Sequence, residues 1–165
     1  GDTITNANNT NSHNNINNST NNTIILNNYG QEDTSHITDN MKMNLLKLPF
    51  DSIQKMIEQV HFNNKKPENR NIEIPNKKES IIKIYKNDNW SYRDKKEIID
   101  DLIHMNYDRL DEYYEGGAKE KMSKMHNNRY RRYQHLFDNN DKKLINGIKR
   151  DVELLILSDN LRNMK

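Results

Sequence analysis

"SIIKIYKNDNWSYRD", residues 80–94, is the stretch that decides the fold class. On either side of it the apolar residues recur every three or four positions, as on the buried stripe of a helix. Here the period changes and the residues read as β-strand. "KNDNW" carries the turn residues that join two short strands into a hairpin. "NIEI", residues 71–74, reads as a further strand. Trp90, the only tryptophan, is expected to anchor this sheet against a helix, with base stacking as the lesser alternative. On the anchor reading, Trp90→Ala costs about 3–5 kcal/mol.

Helical spacing surrounds the hairpin. Thr38 or Asp39 suits the cap of a short helix carrying Met41, Leu45 and Leu46, which Pro49 stops. Asp51 suits the cap of a second helix with Ile53, Met56, Ile57 and Val60 on one face. After the hairpin, Asp94 begins a helix reaching about Glu115, and Gly116-Gly117 ends it. A further helix is expected from about Ala118 to Phe137, broken by "DNND". Asp141 then suits the cap of a last helix built on Leu144, Ile145, Ile148, Val152, Leu155 and Ile156. The expected architecture is α+β and helix-rich: two short N-terminal helices, a small antiparallel sheet, then three C-terminal helices, as one domain over residues 29–165.

Residues 1–28 differ in kind. They hold twelve Asn among Thr, Ser and Ile. Such a tract buries too little apolar area to offset its ordering entropy, so a disordered linker or tail is expected. The alternative is an Asn/Thr ladder between identical chains, ordered only in an oligomer. The start, "GDTITNANN", lacks a Met and the basic and apolar regions of a signal peptide, as a piece of a longer protein would. Cysteine is absent, which removes disulfides and thiolate metal sites and suits a reducing compartment. No apolar run reaches the length of a membrane span.

The formal net charge of +2 conceals an asymmetry. Residues 94–115 carry eight acids and three bases; residues 119–132 carry six bases and one acid. One expectation is that these adjacent helices pack antiparallel and neutralise each other. The other is that Arg129, Arg131 and Arg132 face phosphate, with Tyr130 and Tyr133 available for stacking. A second basic zone, residues 65–86, contributes Lys65, Lys66, Arg70, Lys77 and Lys78 as candidate nucleic-acid contacts.

Between the second helix and the sheet lies "HFNNKKPENRNI", residues 61–72. His61, Asn69 and Asn71 loosely match the residue types of a His-Asn-His nuclease, and a hairpin and helix follow. Yet His61 ends a helix rather than a strand, and no second histidine sits at the expected metal-binding position. The favoured reading is a scaffold loop in which Pro67 restricts the backbone and Asn side chains bond backbone groups. No catalytic residue, metal, cofactor or small-molecule substrate is expected.

The order "LNNYGQEDTSHIT", "IQKMIEQVHFNNKKPENRNIEI", a Y-x-N-x-x-W hairpin and "DKKEIIDDLI" resembles a region of uncharacterised giant-virus (mimivirus-like) proteins. The similarity covers roughly residues 20–115. In those proteins the block follows Cys-Cys-His-His zinc fingers, a coiled coil and an Asn-rich linker. This sequence has no zinc finger, so metal binding does not carry over. The resemblance implies a non-enzymatic, self-associating viral interaction or assembly domain, attached to modules that handle nucleic acid or virion structure. It also implies an intracellular setting: host cytoplasm, viral factory or virion. Direct DNA or RNA binding through residues 65–86 and 119–132 is the alternative, and a nuclease a distant third. A membrane partner is not expected.

Overall fold

The computed structural model describes residues 23–162. Most of the Asn-rich tail, and with it the choice between linker and ladder, lies outside the described residues. The fold is helix-rich α+β. Helices α1 (Asp39–Lys47) and α2 (Ser52–His61) precede a three-stranded sheet of β1 (Ile72–Glu73), β2 (Ile81–Lys86) and β3 (Asn89–Asp94). Helices α3 (Lys95–Tyr113), α4 (Lys124–Asp138) and α5 (Lys142–Arg162) follow.

Side-chain caps set several boundaries. The Thr38 hydroxyl accepts from the Met41 N–H, the Asp94 carboxylate from Glu97 N–H, and Asp141 from Leu144 N–H. Asp51 precedes α2 without a side-chain cap bond; Pro49–Asp51 forms a 3-10 turn, and the Ser52 hydroxyl donates back to the Pro49 carbonyl. The boundary between the charged helices also differs from expectation. Gly116-Gly117 kinks the chain, with Gly117 at φ +139°, but helical turns continue through Lys121. The break comes at Met122, and Ser123 starts α4 by accepting from His126 N–H. A hydroxyl capping bond, rather than glycine alone, sets where α4 begins.

The sheet is antiparallel in the order β1-β2-β3. Asn87 and Asp88 both take positive φ, 54° and 61°, as a two-residue primed turn requires, and Asn and Asp tolerate this conformation. The register pairs Tyr85 with Trp90 and Lys83 with Tyr92 on one face, and Ile82 with Arg93 and Ile84 with Ser91 on the other. Ile82 and Ile84 are fully buried and meet Ile72, Ile98 and Leu102 in the main core, which α2, α3 and α5 complete.

Trp90 therefore sits on the face opposite the core. It is partly buried, its ring 5.7 Å from Tyr85 in an edge-on contact, with the Lys83 ammonium 5.2 Å above it. The expected anchor role falls to Ile82 and Ile84 instead. Trp90→Ala is now expected to cost only about 1–2 kcal/mol, since the ring packs on Tyr85 and Lys83 and its removal leaves no core cavity. A urea-unfolding midpoint shift large enough for 3–5 kcal/mol would restore the anchor reading.

Candidate functional site

The segment before α1 folds back over residues 61–72, and the two make a buried polar cluster. His61, Asn69 and Asn71 are each 0 % exposed. His61 closes α2, and its Nδ1 lies 2.9 Å from Asn71 Oδ1 and 3.3 Å from the Asn69 carbonyl. Asn71 Nδ2 donates to Glu32 Oε2 at 2.7 Å and to the Asn27 carbonyl at 3.1 Å. Asn69 Nδ2 donates to the Asp33 carbonyl, while its Oδ1 accepts from Asp33 N–H and from Asn27 Nδ2.

From α3, Arg109 reaches the Glu32 carboxylate at 3.4 Å and donates to Asn106 Oδ1 at 2.9 Å. The Glu32 side chain is wholly buried. Burial works against its charge, but His61, the Asn71 amide and the Gly30 N–H together hold its carboxyl below the ordinary value. Glu32 and Arg109 were not among the residues singled out from sequence.

This arrangement fixes the His61 tautomer. Both partners of Asn71 Nδ2 can only accept, so Asn71 Oδ1 is the atom facing His61, and His61 Nδ1 must carry the proton. Nε2 is then a bare acceptor, buried and without a partner among the described residues. The cluster ties three segments of the chain together with bonds that serve backbone and side chain alike. Among the described residues, no group of three or more His, Cys, Asp or Glu is placed to hold a metal ion.

Much of the first basic zone serves intramolecular contacts. Lys66 bonds Asp33 at 2.7 Å, and that bond, with those from Ser35, holds the Asp33 carboxyl below its ordinary value. Arg70 lies 2.6 Å from both oxygens of Asp159 and donates to Asn64. Lys65, Lys77 and Lys78 are exposed. The structure does not bring all five onto one surface: Lys77 and Lys78 lie beside Arg150 and Leu154 of α5, away from Lys66.

The second basic zone is arranged differently. Tyr130, Tyr133 and Phe137 turn inward and are buried, so these tyrosines do not offer their rings to solvent. Burial, with the 2.8 Å bond to Asp111, pushes the Tyr130 phenol far above its ordinary value. The expected charge neutralisation between the two helices is not found among the described residues: α4 reaches the acids only through hydrogen bonds from Tyr130 and Gln134 to Asp111 and Glu115, and the Lys119–Glu115 ion pair lies within the connecting turns. Arg129, Arg131 and Arg132 remain exposed and form no ion pair among the described residues. Arg129 donates to the Lys47 carbonyl at the end of α1.

Between the 3-10 turn and α4 lies an open cleft of about 530 Å³, with Leu48, Pro49 and Phe50 on one side and Asn128, Arg129 and Arg132 on the other; Asp51 also lines it. Leu48 is 57 % exposed, Phe50 43 % and, on the same helix as the arginines, Met125 60 %. Phe50 is held by an edge-on contact with Tyr133. Pro49 explains the exposure: it ends α1 and starts the 3-10 turn, which leaves Leu48 and Phe50 outside both helical stripes.

Comparison with protein-family models, curated proteins and solved structures gives no match for this chain. No helix among the described residues is long and apolar enough to cross a membrane.

Proposed function

We propose that this chain is a non-enzymatic interaction and assembly domain that self-associates and carries a docking groove for an acidic protein segment. The groove between the 3-10 turn and α4 carries the reading. It combines exposed Leu48 and Phe50 with Arg129 and Arg132, which have no acidic partner among the described residues. An apolar cleft rimmed by guanidinium groups fits a ligand with one or two apolar anchors and adjacent carboxylates. The burial of His61, Asn69 and Asn71 supports the non-enzymatic part, since none of the three is exposed and all their side-chain polar atoms except His61 Nε2 are engaged with the scaffold. The giant-virus resemblance suits such a domain in a viral protein of the host cytoplasm, viral factory or virion.

Direct DNA or RNA binding is the second reading, favoured by the exposure of Lys124, Arg129, Arg131 and Arg132 on one helix. Two measurements separate the readings: molar mass by light scattering, and a titration with random-sequence DNA across salt. Leu48→Ser with Phe50→Ser is expected to leave DNA affinity unchanged. If DNA is the ligand, Arg129, Arg131 and Arg132 changed together to Gln reduce the salt slope by up to about 0.9 for each phosphate no longer neutralised. A monomeric mass together with tight, salt-steep DNA binding would replace the assembly reading by the nucleic-acid one.

A further inference from the structure

Among the described residues, no strand or hydrogen bond covers the far edge of β3. β3 is the last strand of the sheet, six residues long, with no Pro, Gly or Lys and an unbroken register against β2. Natural edge strands are normally blunted by such residues, by a bulge or by a covering segment, because an open row of N–H and C=O groups pairs with other strands. Here the direction of those groups follows from the turn. A two-residue hairpin makes Lys86–Asn89 a hydrogen-bonded pair. By alternation Ser91 and Arg93 also bond to β2, while the N–H and C=O of Trp90 and Tyr92 point to the open edge. No hydrogen bond among the described residues reaches them from that side. The side chains above them are the aromatic ones: Trp90 is partly buried and Tyr92 is 65 % exposed.

We infer that β3 pairs antiparallel with β3 of a second copy of this chain, about a two-fold axis at Ser91, joining two three-stranded sheets into one. This rests on the self-association proposed above and names its surface. The occupant is a second copy because the strand is complementary to itself. With Ser91 opposite Ser91 of the partner copy, Trp90 lies opposite Tyr92 in both directions. Both are residues whose backbone groups face the edge, so hydrogen-bonding and side-chain registers agree. Asn89 then lies opposite Arg93, where amide and guanidinium can hydrogen-bond across the seam. A two-fold arrangement uses the same patch on both copies and closes after two.

The test uses the full chain and two readouts. Light scattering over a range of concentrations is expected to give twice the 19.7 kDa chain mass, reverting to one chain mass on dilution. Tyr92→Lys adds an edge charge without touching the β2 ladder and is expected to weaken the dimer at least about tenfold. Tyr92→Pro removes an N–H that β2 does not use and is expected to do the same. Hydrogen exchange read by NMR needs no variant. The Trp90 and Tyr92 amides are expected to be protected only at concentrations that favour the dimer, whereas Ser91 and Arg93 stay protected throughout. A single chain mass at every concentration overturns both the self-association and this interface. A dimer that survives Tyr92→Lys, with the Trp90 and Tyr92 amides exchanging freely, overturns the β3 interface alone and leaves self-association standing on another surface.

Discussion

Asn71→Ala is expected to lower the stability of the fold by about 3–5 kcal/mol, more than any surface change to the basic zones. Three hydrogen bonds are lost at once: the His61 Nδ1–H keeps only the longer 3.3 Å contact with the Asn69 carbonyl, the Glu32 Oε2 keeps only the Gly30 N–H, and the Asn27 carbonyl loses its Asn71 donor. Such a loss costs about 0.5–1.5 kcal/mol where a neutral group keeps another partner, and about 1–3 kcal/mol where the group is charged or left unpaired. Arg109 still reaches Glu32, which keeps the total below the sum of the largest values. At roughly 2–4 °C per kcal/mol for a chain of this size, the thermal midpoint should fall on the order of 10 °C. Lys65→Ala, at an exposed position of the same loop, should stay within about 0.5 kcal/mol of the parent. Equal midpoints for the parent and Asn71→Ala would show that the cluster fills space without holding the segments together.

What could be read from the sequence divides by the range of the interaction that decides it. Local rules sufficed for the hairpin over residues 80–94, and for Thr38, Asp94 and Asp141 as caps, because the deciding bonds span three residues or fewer. Ser123 obeys the same rule but was hidden by the stronger breaker signal of Gly116-Gly117. The orientation of Trp90 needed the cross-strand register. Ile82 and Ile84 fix the core face of β2, and the turn then assigns Ser91 and Arg93, not Trp90, to the same face. Apolarity alone points to Trp90 as the buried residue, and on an edge strand the register overrides it. Glu32 and Arg109 stand 77 residues apart, and nothing in either neighbourhood marks them as partners. The apolar groove was hidden for a related reason. Leu48 and Phe50 look like ends of two helical stripes, and only the 3-10 turn at Pro49 places them outside both.

Stability is expected to fall as pH drops from about 7 to 5, with a slope from His61 of at most about 1.4 kcal/mol per pH unit. In the folded chain the ring is neutral, with its one proton on Nδ1 and held by Asn71. Charging it would place a second N–H at Nε2, where no acceptor stands among the described residues. Burial, aided by the positive charge of Arg109, therefore holds His61 below its ordinary value of 6.5, against the opposing pull of Glu32. The unfolded chain keeps the ordinary value. Below about pH 6.5 the unfolded state takes up a proton that the folded state refuses, and stability drops; above about pH 7.5 neither state binds it, and the effect vanishes. Glu32 acts in a lower window. Its folded value lies below the ordinary 4.5, so its contribution is intact between pH 5 and 7 and is lost only as pH falls through the depressed folded value. The slope between pH 7 and 5 thus reports His61. Urea unfolding at several pH values should show it in the parent and show a flatter dependence in His61→Gln, whatever the absolute stability of that variant. The ring resonances of His61, followed by NMR, should stay those of the neutral Nδ1–H tautomer at pH values where exposed histidines titrate. A folded His61 that titrates near 6.5, or a pH dependence unchanged in His61→Gln, would mean that water or an acceptor reaches Nε2, and the closed cluster around His61 would be wrong.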